Sequence, residues 1–170
     1  MYDYMLGGSQ NFAVDREAVD AMLATAGSTM APARLNRSFL RRAVQYMAAD
    51  GIDQFLDLGS GIPTVGNVHE IAHAANPGSR VVYVDIEPVA VAHARHLLAG
   101  NDNATIVHAD LRNVAEVLDH PETKRLIDFT RPVGLLLVSI LHFIRDEDDP
   151  AGIAAAYRAA TVAGGYLALS

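Results

Sequence analysis

The chain has 170 residues, 51% of them hydrophobic, no cysteine and a formal charge of −7. That length suits one domain with a real core, and the lack of cysteine removes disulfides, thiolate catalysis and cysteine-built zinc sites. The charge argues against a sequence-independent nucleic-acid binder, which needs a basic face to displace counterions; with no apolar run of bilayer length and no leader after Met1, a soluble cytoplasmic protein is expected.

Met1 to Phe12, rich in Tyr, Gly and polar residues, reads as a loop. Helices are predicted at Val14–Ala26 and Pro32–Ala49, the second with Leu35, Phe39, Leu40, Ala43 and Met47 on one face. Strands then follow at Gln54–Leu58, Arg80–Asp85, Ala104–His108, Val133–Ile140 and Tyr166–Leu169. Helical runs separate them at Asn67–Ala75, Pro88–Ala99, Val114–Leu118 with Glu122–Ile127, and Pro150–Thr161. Strands apolar on both faces and alternating with helices indicate an α/β fold, a doubly wound, mostly parallel sheet. Residues 1–50 read as an N-terminal loop and helices of the same domain, and 51–170 as its core. Ser170 directly follows the fifth strand, which would leave a bare sheet edge. Strands missing beyond Ser170, or a partner such as a second copy, are expected to cover it, truncation being favoured.

In open α/β sheets, ligands sit beyond the carboxyl ends of the strands. Here those ends are polar: Asp57, Gly59, Ser60 and Gly61 close the first strand, Asp85 the second, Asp110 the third, and Ser139 to His142 the fourth. Gly59 and Gly61 allow the backbone to approach a ligand. Asp85 lies at the distance from the glycines at which a carboxylate accepts ribose hydroxyls, and Asp110 could accept a hydrogen bond from an adenine amine. A dinucleotide fits poorly. The third fingerprint glycine is replaced by Thr64, preceded by Pro63, and Asp57 puts a negative charge where a pyrophosphate would lie. A ligand carrying an ammonium and a sulfonium is favoured instead, which points to S-adenosylmethionine.

The stretches "FLDLGSGIPT", "VVYVDIEP", "IVHADLRN" and "LLLVSILHFI" together resemble motifs of class I S-adenosylmethionine-dependent methyltransferases. More narrowly, "YDYMLGGSQNFAVDRE", "LNRSFLRRAVQYMA" and "RPVGLLLVSILHFIRDEDDP" resemble a largely uncharacterised bacterial family of such enzymes. The resemblance implies a Rossmann-like core with Asp57, Gly59 and Gly61 at the methionine end of the cofactor, Asp85 at the ribose, and Asp110 and Leu111 at the adenine. Ser60, Ile86 and Ser139 complete the expected cofactor set. Family members extend beyond both ends of this chain, so both ends look clipped. The expected activity is methyl transfer to a small-molecule acceptor, without metal; the alternative is a non-catalytic S-adenosylmethionine-binding module or inactive fragment.

Other signals compete. "HEIAH" matches the zinc-protease pattern, with His69 and His73 as ligands and Glu70 as base. It lacks a third ligand, and chance is the better explanation; a zinc hydrolase is the remote alternative. "RDEDDP" could bind Mg²⁺, but Asp149 capping a helix that starts at Pro150 is the stronger reading. His142 could take a proton from the acceptor or merely shape its loop. Tyr2, Tyr4 and Phe12 around Gly7 and Gly8 could form a lid or dock on the core. Arg16 and Arg37 could reach the cofactor carboxylate, or be ordinary surface charges.

Overall fold

Five short apolar runs, each bounded by turn residues, form the five strands β1 (Gln54–Leu58), β2 (Arg80–Asp85), β3 (Ala104–His108), β4 (Gly134–Leu137) and β5 (Tyr166–Leu169) in a computed structural model describing residues 2–5, 7, 12–26, 31–62 and 66–170. The helices are α1 (Tyr2–Met5), α2 (Ala13–Ala26), α3 (Ala31–Ala49), α4 (Val68–Ala75), α5 (Pro88–Leu97), α6 (Val114–Asp119), α7 (Pro121–Leu126) and α8 (Pro150–Ala159). Proline opens α5, α7 and α8, where its fixed φ fits and its missing N–H is not needed.

The chain divides into two compact units, Met1–Phe39 and Leu40–Ser170. In the first, the Tyr4 hydroxyl donates to Asp20 at 3.2 Å, and Val19 and Ala33 are buried. The opening segment expected as a loop contains the single helical turn α1, closed by the Gly7 N–H donating to the Tyr4 carbonyl at 2.9 Å. Phe12 is exposed, while Gly8 lies outside the described residues.

In the second unit all strand pairs are parallel, in the order β3-β2-β1-β4-β5. The sheet is wound outward in both directions from β1, so the crevice at a strand-order switch falls at the carboxyl ends of β1 and β4. Asp57 stands in register with Tyr83 on one side and Leu136 on the other. Side chains alternate between faces. Leu56, Leu58, Val82, Val84, Leu135 and Leu137 pack with Val117, Leu126, Ile153 and Tyr157 of α6, α7 and α8. The other face carries Phe55 and Tyr83, and here the Tyr83 hydroxyl meets His69 of α4.

At the amino end of β1 a fully buried amide, Gln54, stitches the sheet to the segment entering β4. Its Nε2 donates to the carbonyls of Asp128 (2.8 Å), Arg131 (3.2 Å) and Pro132 (3.1 Å). Its Oε1 accepts from the Asp128 N–H at 3.0 Å and from Arg80 at 3.2 Å.

One strand is shorter than expected. The run Val133–Ile140 leaves the sheet after Leu137, and Ser139 adopts a left-handed φ of 61°. Its last apolar residues serve other purposes, because Ile140 turns toward the glycine loop and Leu141–Phe143 form a tight helical turn. Periodicity cannot tell a strand residue from an apolar residue that lines a pocket.

Candidate functional site

The strand ends converge on a pocket lined by Gly59, Val84, Asp85, Ile86, Ala109, Asp110, Leu111 and Ile140, with about 260 Å³ of empty space open to solvent. It unites five of the expected residues: Gly59, Asp85, Ile86, Asp110 and Leu111. Asp57, Ser60, Gly61, Ser139 and His142 are not in its lining. Val84, Ala109 and Ile140 are additions. The signal for Ile140 was its place in "LLLVSILHFI", where it reads as strand.

The glycine loop leaves β1 and folds back on β2. The N–H groups of Gly59 and Ser60 both donate to the Val84 carbonyl, at 2.8 and 3.1 Å. Gly59 has φ 74°, and a Cβ there would lie 2.3 Å from Cγ1 of Ile140. Conformation and space both demand glycine at this position. Pro63 and Thr64, which were expected to distinguish this loop from a dinucleotide fingerprint, lie outside the described residues.

Asp85 is buried and fastens the loop. Its Oδ2 accepts from the Gly61 N–H at 2.6 Å, and its Oδ1 from the Glu87 N–H at 2.9 Å. A carboxylate has about four acceptor sites, so each oxygen keeps one for a ligand hydroxyl. Asp57 is also buried, within β1. Ile86 is 57% exposed where it lines the pocket, so its apolar surface is open to a ligand there.

The far wall is held by two contacts that a strand-end reading does not reveal. The hydroxyl of Tyr157, fully buried on α8, donates to the Leu111 carbonyl at 2.7 Å. Burial, reinforced by the Asp110 charge, pushes the Tyr157 hydroxyl pKa up and keeps it protonated as a donor. Arg112 grips Asp110: its Nε lies 3.0 and 2.9 Å from the two carboxylate oxygens, and its Nη2 is 2.6 Å from Oδ2. The Arg112 main-chain N–H adds a bond to Oδ1 at 2.9 Å. The side-chain bonds from Arg112 hold the Asp110 carboxyl below the usual carboxylate range. Arg112 also reaches Asp148, in the segment after β4, at 3.1 Å.

The competing motifs find structural partners. Glu70 accepts from the N–H groups of Gly66 and Asn67, both at 2.9 Å, which makes it the capping carboxylate of α4. Nε2 of His73 lies 2.8 Å from the Ser79 carbonyl, and Nδ1 of His69 lies 2.7 Å from the Tyr83 hydroxyl. A zinc hydrolase would therefore lack its free base. Among the described residues no cluster of three His, Cys, Asp or Glu could hold a metal ion. Asp149 caps α8, accepting from the Gly152 N–H at 3.0 Å. His142 is exposed on the turn after β4, its ring 4.2 Å from that of Phe143.

Burial lowers the His69 pKa. The neutral ring is thus favoured in the fold, and its contribution to stability is fully present above the ordinary imidazole value of about 6.5. That contribution is lost as pH falls through the lower folded value. Urea titrations between pH 7 and 5 are expected to show stability declining with acid, with a shallower decline in His69→Gln.

The whole chain, residues 1–170, matches the family model described as S-adenosyl methyltransferase. The chain belongs to that family. It is 43% identical to a methyltransferase candidate from Thermobifida fusca YX, with a TM-score of 0.94, 99% of this chain and 63% of that one being covered. It is equally 43% identical to a DUF574 family protein from Streptomyces avermitilis MA-4680, again with a TM-score of 0.94, over 99% of this chain and 65% of that one. This family member thus spans a little under two thirds of the length of those two structures. The N-methyltransferase NodS from Bradyrhizobium japonicum WM9, at 13% identity and a TM-score of 0.53 over 80% of this chain and 66% of that one, shares the fold. That fold is the Rossmann-like one of class I methyltransferases. No curated protein matches the chain. No helix among the described residues is long and apolar enough to cross a membrane.

Proposed function

We propose that this chain carries the S-adenosylmethionine site of a methyltransferase acting on a small-molecule acceptor. The observation that carries the reading is the single pocket in which Gly59, Asp85, Ile86, Asp110 and Leu111 meet. Their chemistry fits the cofactor. Asp85 offers two acceptor sites to ribose hydroxyls, and Ile86 and Leu111 offer apolar surface to a flat base. Gly61, with open space where a Cβ would stand, leaves the main chain bare for the amino-acid end, with Gly59 and Ser60 beside it. The carboxylates of Asp57 and Asp85 attract an ammonium and a sulfonium and repel a pyrophosphate. Ser139 is assigned to the cofactor edge of the post-β4 turn. The net charge of −7 supports a small acceptor over a nucleic acid.

S-adenosylmethionine held by these residues would supply an activated methyl group for displacement by an acceptor lone pair. The protein's part is to orient the two reactants and exclude water. His142 is proposed to take the acceptor proton.

Calorimetry with S-adenosylhomocysteine and NAD tests the reading. Binding of the first and not the second is expected, and Asp85→Ala should weaken it about a hundredfold through loss of two charge-assisted hydrogen bonds. NAD binding without S-adenosylhomocysteine binding would overturn it. His142→Gln should leave binding unchanged and lower transfer; an unchanged rate would remove the base role.

A further inference from the structure

The two pocket carboxylates are committed very differently. Asp85 spends two of its acceptor sites on main-chain N–H groups, at 2.6 and 2.9 Å, and keeps two. Asp110 receives four contacts of 2.6 to 3.0 Å, all from Arg112. Nε–H is shared between the two oxygens, so three N–H protons take up most of the carboxylate's roughly four sites, and Asp110 is turned mainly toward Arg112. The same guanidinium then crosses to Oδ2 of Asp148 at 3.1 Å. Asp148 lies between the turn bearing His142 and the start of α8. It is further held by Arg145 at 3.4 Å. A planar guanidinium with five donors holds two carboxylates in a fixed geometry, whereas an ammonium offers three donors and no rigid fork.

We propose that Asp110, Arg112 and Asp148 form a strut that fixes the nucleobase wall of the pocket to the segment after β4, and that Asp110 serves as its anchor and not as the reader of the adenine amine. Arg112 is accordingly a positioning residue for cofactor binding. This rests on the S-adenosylmethionine reading above. The strut joins the wall that meets the cofactor's base to the segment that presents His142, so one cation sets both sides of the site.

The test compares S-adenosylhomocysteine with its inosine counterpart, which carries a carbonyl where adenine has an amine, in the wild-type chain and in Asp110→Ala, Arg112→Met, Arg112→Lys and Asp148→Asn. Melting curves run in parallel confirm that each variant is folded. The strut predicts that Asp110→Ala and Arg112→Met weaken both ligands by about tenfold, as expected for a displaced binding wall, leaving their ratio at the wild-type value. Arg112→Lys should recover little of the loss, because the fork is gone. Asp148→Asn touches no pocket residue, yet should weaken both ligands severalfold. Three results would overturn the proposal. In the first, the adenine preference collapses in Asp110→Ala but persists in Arg112→Met, which makes Asp110 the reader. In the second, affinity in Asp148→Asn is unchanged, which reduces Arg112 to a local loop staple. In the third, affinities are unchanged in Arg112→Met. Absence of S-adenosylhomocysteine binding in the wild-type chain would instead defeat the cofactor reading on which the strut depends.

Discussion

Gly59→Val is expected to abolish S-adenosylhomocysteine binding while leaving a folded but destabilised chain. Two effects combine. A β-branched residue at φ 74° is strained by about 1–3 kcal/mol. The new Cβ would also sit 2.3 Å from Ile140 Cγ1, an overpacking that costs about 1–3 kcal/mol more. Relief can come only by moving Ile140 out of the pocket wall or by pulling the glycine loop off the Val84 carbonyl, and both deform the site. Denaturant melts and calorimetry check the two consequences separately. Adding Ile140→Ala should return only part of the steric loss, because the Cβ of residue 140 would still lie 2.9 Å from the new one, and should leave the conformational part. Full recovery in the double variant would show that φ at position 59 carries no cost.

Gln54→Leu is expected to cost about 3 kcal/mol of folding stability without altering any residue of the pocket. The leucine has nearly the same volume, so the loss is one of hydrogen bonds. Three carbonyls, of Asp128, Arg131 and Pro132, lose their shared donor, and the Asp128 N–H loses its acceptor. Buried polar groups left unpaired cost about 1–3 kcal/mol each, and rearrangement of the exposed Arg131 loop toward water offsets part of the sum. Urea unfolding should show a lower midpoint with an unchanged slope. A shift below about 0.5 kcal/mol, the range of ordinary surface substitutions, would show that the loop resolvates freely.

The strands were legible because β1, β2, β3 and β5 are short apolar runs with abrupt polar or glycine borders, and all four have the expected bounds. The pocket residues Gly59, Asp85 and Asp110 were legible for a related reason, since a parallel sheet presents its strand ends together, whereas Leu111 was expected only through the family resemblance. Ile140 was hidden inside an apolar run whose last residues leave the sheet. Arg112 was hidden differently. Its bond to Asp110 spans two positions, but its partner Asp148 comes from another strand's loop, which no local spacing announces. Tyr157 falls within the predicted helical run Pro150–Thr161, and its hydroxyl acquires meaning only through its bond to the Leu111 carbonyl. In "HEIAH" a strong spacing was outweighed by context, because Glu70 serves the helix it opens.

The strand order also has a consequence for how the chain assembles. β1, β2 and β3 are neighbours in sequence and can pair as they emerge, but the other edge of β1 must wait for β4, with Phe55 meeting Gly134 only after a separation of about 80 residues. Through that interval β1, with all five residues apolar or destined for burial, offers an open edge to any other strand. Gln54 stands at the start of that edge, and its partners at Asp128, Arg131 and Pro132 immediately precede β4. In the native fold the amide therefore ties the segment that enters β4 to the start of β1, which fixes the register of that pairing.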